Sequence, residues 1–207
     1  MAYRFMSTYL AYPPAVEHET VLLTDPGNEQ AAMDLFSVLP NVRAIATPDE
    51  GKDLSRYFFH AERSNADIVM FLGGSAYARR PGWGLRAVTA TQHLGNHNLY
   101  GACGNCGSGP VRPHIRTTGF WCSPGVLRQY PVRPTNHGMR YACEHGPGCI
   151  SDWFATQGYK RWVINFSSEY ALSRANDDPD GYGGRNKTHM NLLIGDRLTQ
   201  PPYANNP

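Results

Sequence analysis

Residues 67–77 read DIVMFLGGSAY, a short apolar run that leads into a glycine pair. Short apolar runs bounded by turn residues are typical of buried strands. Two earlier runs have the same character, VLLT at 21–24 and VRAIA at 42–46, and each is followed by a segment with the apolar spacing of a helix. The order strand, helix, strand, helix, strand with short loops predicts right-handed crossovers and a central, mostly parallel mixed sheet flanked by helices.

The remaining elements are expected from similar patterns. The helices between the first three strands are predicted at 28–39 and 53–63. Further along the chain we expect helices at 83–93, 124–129 and 150–157 and strands at 98–102, 115–121 and 161–166. A chain of 207 residues is long enough for one substantial core, so we expect a single α/β domain over residues 1–207.

The composition argues against several classes of protein. The net charge of +2 is small and the basic residues are scattered, so no nucleic-acid partner is expected. No run approaches the roughly 18 apolar residues that cross a bilayer, and the first residues lack the apolar core of a signal peptide. The five cysteines are an odd number, which favours reduced thiols over a disulfide framework. We therefore expect a cytoplasmic protein without a transmembrane segment.

In open α/β sheets, ligands bind at the carboxyl ends of the parallel strands. This rule selects three loops, namely Asp25 with its neighbours, residues 47–53, and Gly73-Gly74-Ser75. Asp25 could accept hydrogen bonds from a base or a ribose, or could simply cap its turn. Lys52 and Asp53 open a helix, where backbone N–H groups and a lysine hold phosphate, although an acidic first turn is also ordinary. The glycine pair allows a ligand to approach the backbone closely.

The order of these motifs resembles that of the GT-A glycosyltransferases. The motifs are TDPGN at 24–28, EGKDLSRYF at 50–58, and the third strand with its glycine turn. Within that class, EGKDLSRYF and the YFFHAERSNADIVMFL that overlaps its end are most similar to rhamnan-synthesis-type transferases and to the small glycosyltransferase domains of large algal viruses. The resemblance covers about residues 20–165 and implies a single GT-A-like, Rossmann-like domain.

The resemblance implies a glycosyltransferase of polysaccharide or glycoprotein glycan synthesis. It would move a sugar from a nucleotide-diphosphate donor, a UDP-sugar, to a hydroxyl of a glycan or glycoprotein acceptor. The nucleotide-binding half would span about residues 15–100, the acceptor half about 101–195, and residues 196–207 would form a flexible tail. The tail has no closing element, as expected for one domain of a larger protein. A viral chain of this kind would act in the host cytoplasm.

The resemblance also assigns the nucleotide-sugar site, residue by residue. The assigned residues are Asp25, Pro26, Gly51, Lys52, Asp53, Arg56, Gly73, Gly74 and Ser75. Asp25 would lie near the base, and Lys52 and Asp53 near the ribose or the phosphates.

The Asp-x-Asp metal motif of the family would fall on Gly73-Gly74-Ser75 and is absent here. A divalent cation, Mn²⁺ or Mg²⁺, would then have Ser75 and His189 as candidate ligands. Without a cation, basic residues could neutralise the leaving diphosphate instead. The candidates for that role are Arg79, Arg80 and Lys187.

The second half is expected to build the acceptor side. VRPHIRTTGFW at 111–121 resembles the family's strand beneath the sugar, and would bring His114, Arg116 and Thr117 to the cleft. The other interpretation is a half-buried strand whose polar residues face outward.

The general base is expected in ACEHGPGCISDWFATQGY at 142–159, which resembles the segment carrying an acid at the start of a helix. Glu144 would remove the proton of the acceptor hydroxyl in an inverting transfer, with Asp152 as the second candidate. In a retaining enzyme no such base is required, and Glu144 would only orient the acceptor.

Two other functions are left open by the sequence. The cysteine pairs Cys103/Cys106 and Cys143/Cys149 would suit a cysteine-ligated zinc protein. The absence of the Asp-x-Asp carboxylates would suit a non-catalytic nucleotide- or carbohydrate-binding module. A dinucleotide oxidoreductase is disfavoured, because it would carry G-x-G-x-x-G where this chain has DPGN. A redox Cys-x-x-Cys is disfavoured because Cys103 and Cys106 lie in a glycine-rich run, not at a helix N-terminus.

Overall fold

The structure is a computed structural model that describes residues 2–48, 52–105, 111–177, 191–197 and 199. The helices are α1 (Ala2–Ala11), α2 (Glu29–Phe36), α3 (Lys52–Ala61), α4 (Trp83–Leu94), α5 (Pro124–Leu127), α6 (His137–His145) and α7 (Ile150–Thr156), with a 3-10 helix at Leu172–Asp177. The strands are β1 (Thr20–Thr24), β2 (Val42–Ala46), β3 (Val69–Leu72), β4 (Tyr77–Ala78), β5 (Leu99–Gly101), β6 (Gly104–Asn105), β7 (His114–Ile115), β8 (Gly119–Cys122), β9 (Arg161–Ile164), β10 (Glu169–Ala171) and β11 (Ile194–Gly195).

The chain has a mixed α/β fold, and its first crossover agrees with the sequence prediction. Strands β1 and β2 pair in parallel over their whole length, from Thr20 opposite Val42 to Thr24 opposite Ala46. Helix α2 makes the connection between them, as the apolar spacing of 28–39 predicts. The carboxyl ends of both strands therefore lie at one edge, followed by the loops that carry Asp25 and Lys52.

The main sheet is not mostly parallel, so this part of the fold prediction is wrong. It has five strands in the order β10-β9-β5-β8-β3. Only β5 and β9 are parallel in it, while β3–β8, β5–β8 and β9–β10 are antiparallel. In the described part of the chain β3 pairs with β8 and not with β1 or β2. Strand β3 was expected to be the third parallel strand beside β1 and β2. It forms antiparallel hydrogen bonds with β8 instead, about fifty residues later in the chain.

Apolar clusters cover both faces of this sheet, as the alternation of side chains along a strand requires. Phe71 of β3 and Phe120 of β8 face a cluster completed by α3, α5, α6 and α7. The next residue of β8, Trp121, faces the opposite cluster, which α1 and α4 complete. The sheet is thus flanked by helices on both faces, as expected.

The segment from residue 191 to 199 is attached to the fold near β4 and β9. Strand β11 pairs with β4, and Leu192 forms an antiparallel bridge with Asn165. These contacts bring Asp196 to the turn between β7 and β8, where it pairs with Arg116 and Thr118. In the described residues, no helix is long and apolar enough to cross a membrane.

Candidate functional site

The carboxyl edge of β1 and β2 brings together residues assigned to nucleotide binding. The backbone N–H and the hydroxyl of Thr47 both donate to the Thr24 carbonyl, at 2.9 and 3.1 Å, and so join the two strand ends. Arg56 of α3 donates to the Leu23 carbonyl at 3.0 Å and forms an ion pair with Asp25. Asp25 and Arg56, predicted separately, are thus direct partners.

The first turn of α3 faces the same edge. Lys52 and Asp53 are exposed there, and Lys52 has a left-handed backbone conformation with φ of 57°. Residues other than glycine seldom adopt that conformation. Gly51 and its assigned role lie outside the described residues. Pro26 is exposed in the turn that follows β1.

The glycine turn after β3 lies against the turn between β7 and β8. The Gly73 N–H donates to the Thr118 carbonyl at 3.1 Å, and the Gly73 carbonyl accepts from the Ala76 N–H at 2.8 Å. Gly73 is buried, Gly74 is exposed and Ser75 is half-buried. A Cβ at Gly74 would have no atom within 4 Å, so the backbone here is open to a neighbour, as the glycine pair predicts.

Glu144 and Thr117, both assigned to the acceptor side, meet directly. The Thr117 hydroxyl donates to Glu144 Oε1 at 2.7 Å. The other carboxylate oxygen, Oε2, lies 3.9 Å from both Arg140 Nη2 and His145 Nδ1. Glu144 lies in the last turn of α6, not at the start of a helix, so that part of the prediction is wrong.

The strand predicted at 115–121 is divided into β7 and β8 by a turn at 116–118. This turn directs Arg116 to Asp196, with Nη2 and Oδ2 at 3.0 Å, while the Thr118 hydroxyl donates to the same oxygen at 3.1 Å. Asp196 is almost fully buried, at 2% exposure. A buried carboxylate with two donors is fixed in place, and it fixes the Arg116 guanidinium in turn.

His114 of β7 is buried beside the same cluster. Its ring lies 5.2 Å from the His145 ring, and its Nδ1 is 2.7 Å from the Arg112 carbonyl oxygen. Burial lowers the pKa of His114, because the charged imidazolium is poorly solvated there. At neutral pH His114 is therefore an uncharged neighbour of Glu144.

Tyr57 joins the nucleotide half to the acceptor half. It extends from α3, one residue after Arg56, and its exposed fraction is 4%. Burial raises its pKa well above the usual value, and the charges of Asp53 and Glu144 raise it further. The charges of a carboxylate on α3 and of one on α6 thus both act on Tyr57.

Other assigned residues lie elsewhere. Asp152 is half-buried in the first turn of α7, beside Cys149. Arg79 donates to the Tyr77 hydroxyl at 3.1 Å, and Arg80 donates to Asn191 at 2.8 Å. His189, Lys187 and Cys106 lie outside the described residues.

The described residues include no group of three or more His, Cys, Asp or Glu side chains that could hold a metal ion. The described cysteines Cys103, Cys122, Cys143 and Cys149 are free and buried. Burial raises the pKa of each thiol, and that of Cys103 rises to about 12. Thiols of this kind are protonated at neutral pH and react slowly with alkylating reagents.

A wider depression lies away from this site. An open depression of about 490 Å³ is bordered by Glu17, His18, Glu19, Asn41 and Val42, at the amino ends of β1 and β2. A small cavity of about 10 Å³, enough for about one water molecule, borders Thr117, Glu144 and Phe120. We place the site at the smaller cavity, because the converging polar side chains lie there.

Several members of the site could not be identified from the sequence. They are Tyr57, Arg140, His145, Thr118 and Asp196. Arg140 and Glu144 are four residues apart, but this spacing is informative only once α6 is recognised. Asp196 lies 78 residues from Thr118 in the chain and reaches it only through the β11–β4 pairing. No family model, curated protein or solved structure matches this chain.

Proposed function

We propose that the chain is a glycosyltransferase with a GT-A-like nucleotide-binding half. In this proposal it transfers a sugar from a UDP-sugar to a hydroxyl of a glycan or glycoprotein acceptor. The observation that carries the proposal is the packing of α3, with Asp53 and Arg56 beside the predicted nucleotide loop, against α6, with the predicted base Glu144. Donor-binding and acceptor-activating groups must adjoin, since the acceptor oxygen attacks the sugar carbon that the diphosphate leaves.

The nucleotide would bind at the carboxyl edge of β1 and β2. The parallel β1–α2–β2 unit supports this position, because ligands collect at such edges. The amino end of α3 offers backbone N–H groups and the Lys52 ammonium to the phosphates. The ion pair between Arg56 and Asp25 would hold the first loop in place for the base.

Glu144 would act as the general base of an inverting transfer. Its carboxylate would take the proton from the acceptor hydroxyl while that oxygen bonds to the anomeric carbon. The bond between the anomeric carbon and the diphosphate oxygen breaks at the same time, and UDP departs with the electron pair. The hydrogen bond from Thr117 supports this role, since it fixes the orientation of the carboxylate.

The proposal allows for transfer with or without a divalent cation. One predicted ligand, Ser75, lies in the glycine turn, and the other, His189, is outside the described residues. Mn²⁺ or Mg²⁺ bound there would stabilise the charge of the leaving diphosphate.

The test is a thermal-shift series with UDP, several UDP-sugars and NAD, each with and without Mn²⁺. A UDP-sugar at a concentration of about 100 times its Kd stabilises the folded state by about 2.7 kcal/mol, and the melting temperature of the protein rises accordingly. NAD should cause no shift. A series in which no nucleotide raises the melting temperature would overturn the proposal.

A second measurement separates transfer from binding alone. UDP release from the donor that binds is compared between the wild-type protein and Glu144→Gln, which keeps the size of the side chain and removes its basicity. Loss of UDP release with retained donor binding supports catalysis by Glu144. Donor binding without UDP release by the wild type, over the acceptors tried, would instead favour the non-catalytic binding module.

A further inference from the structure

The Tyr57 hydroxyl is a buried donor that makes no hydrogen bond to any described residue. Its ring packs between Phe71 and Phe120, with ring centroids 5.0 and 5.8 Å away. A buried polar group without a hydrogen-bond partner is unfavourable. Nearly all buried polar groups in folded proteins therefore have a partner. A phenylalanine would fill this place without that cost, so the hydroxyl requires another explanation.

A second buried donor lies on the neighbouring helix. The Nε–H of Arg140 also has no acceptor among the described residues, although the guanidinium is near Glu144. Helices α3 and α6 pack together, and the charges of Glu144 and Arg140 act on the Tyr57 pKa in opposite directions, the first raising it and the second lowering it. The Arg140 guanidinium therefore lies near the Glu144 carboxylate on α6, and the Tyr57 hydroxyl belongs to the helix packed against α6.

The Tyr57 hydroxyl lies next to the glycine turn. It would be 3.7 Å from a Cβ at Gly73, while a Cβ at the exposed Gly74 would meet nothing within 4 Å. A small movement of this turn would bring a ligand to the hydroxyl, since no side chain of Gly73 or Gly74 stands in the way.

We propose that Tyr57 and Arg140 donate hydrogen bonds to a hydroxyl of the transferred sugar, and that this hydroxyl donates to Glu144. The proposal rests on the function proposed above and names the group bound in the buried part of the site. A sugar hydroxyl matches this set because it accepts and donates at once. A phosphate fits less well, because the neighbouring Glu144 carboxylate would repel its charge. Tyr57 is therefore a specificity residue for the sugar, and not part of the phosphate site.

The test compares Tyr57→Phe with Tyr100→Phe. The Tyr100 hydroxyl is also buried, but it donates to the Gly95 carbonyl at 2.6 Å. Calorimetric titration gives the Kd of each variant for UDP and for UDP-glucose, UDP-galactose and UDP-N-acetylglucosamine. We expect Tyr57→Phe to weaken binding of the preferred UDP-sugar about tenfold and to leave the Kd of UDP unchanged. Its melting temperature should equal or exceed that of the wild type, while Tyr100→Phe should melt lower and bind normally.

The outcomes separate this proposal from the function on which it rests. A wild type that binds neither UDP nor any UDP-sugar overturns both. If the wild type binds a UDP-sugar and Tyr57→Phe binds it equally well, only the role of Tyr57 is overturned. An equal loss for UDP and UDP-sugar places Tyr57 at the phosphates and overturns the sugar assignment. A lower melting temperature with unchanged affinity makes Tyr57 a structural residue, which also overturns it.

Discussion

The Thr117 hydroxyl donates a 2.7 Å hydrogen bond to the Glu144 carboxylate, and this bond connects two elements 27 residues apart in the chain. Thr117 lies in the turn between β7 and β8, and Glu144 lies in the last turn of α6. The turn leads directly into β8 of the five-stranded sheet, so the hydrogen bond connects the carboxylate to that sheet. A loose carboxylate on the end of a helix would be a poorly placed base.

Thr117→Val should lower the rate of transfer and should also lower the stability. Valine keeps the shape of the side chain and removes the donor, so Glu144 loses a hydrogen bond to a charged group. Such a bond contributes about 1.5–3 kcal/mol, which corresponds to a loss of about tenfold or more in kcat. The measurement is UDP release at saturating donor. Thr156→Val, on the exposed end of α7, is the control and should keep the wild-type rate. Equal rates for both variants would show that Thr117 does not orient the base.

Asp196→Ala should be strongly destabilising, because it leaves Arg116 without its buried partner. The side chains of Arg116 and Asp196 are 13% and 3% exposed, and breaking a buried pair of this kind costs about 3–5 kcal/mol. Urea denaturation measures the free energy of unfolding. Glu19→Ala breaks the exposed pair with Arg43, whose side chains are about half exposed, and should cost about 1 kcal/mol or less. Similar losses in the two variants would contradict the structural importance of the buried pair.

Local elements and the pairing of strands joined by one helix could be predicted from the sequence, but the partners of strands far apart in the chain could not. The β1–α2–β2 unit follows from short apolar runs separated by a helical pattern, and its strands do pair in parallel. The apolar run of β3 was equally clear, but apolar composition does not distinguish a parallel partner from an antiparallel one. Its pairing with β8 depends on a contact of long sequence separation. Helix α6 had a visible signal, since Asn136 caps it by accepting from the Met139 N–H at 2.9 Å.

The site was predictable only where its members carry a local signal. Glu144 and Thr117 belong to segments with recognisable motifs, and they prove to be hydrogen-bonded. Tyr57 occupies the apolar face of an amphipathic helix, where a tyrosine normally serves packing. Only the absence of a partner for its hydroxyl among the described residues distinguishes it from an ordinary core residue.

The stability of the protein should fall as the pH drops below about 6.5, and His114 should be one cause. Burial lowers the pKa of His114 in the folded state, so the unfolded chain takes up a proton at its ordinary pKa of about 6.5 while the folded chain does not. The unfolded state is then favoured as the pH falls through this range. His114→Asn should reduce the slope of unfolding free energy between pH 7 and pH 5. Burial also lowers the pKa of His60, so part of the slope should persist. Identical slopes in variant and wild type would rule out His114 as a cause.

Cys103 should resist alkylation in the native protein, and the reaction also tests the zinc alternative. Burial raises the pKa of its thiol to about 12, so the reactive thiolate is scarce at pH 8, and the side chain is 5% exposed. Iodoacetamide labelling followed by peptide mass spectrometry should find Cys103 unmodified in the folded protein and modified after denaturation in urea. The same labelling after incubation with EDTA should give the same result, because a packed thiol has no metal to lose. If EDTA makes Cys103 reactive while the protein stays folded, the residue is a metal-bound thiolate, and the cysteine-ligated zinc protein becomes the better interpretation.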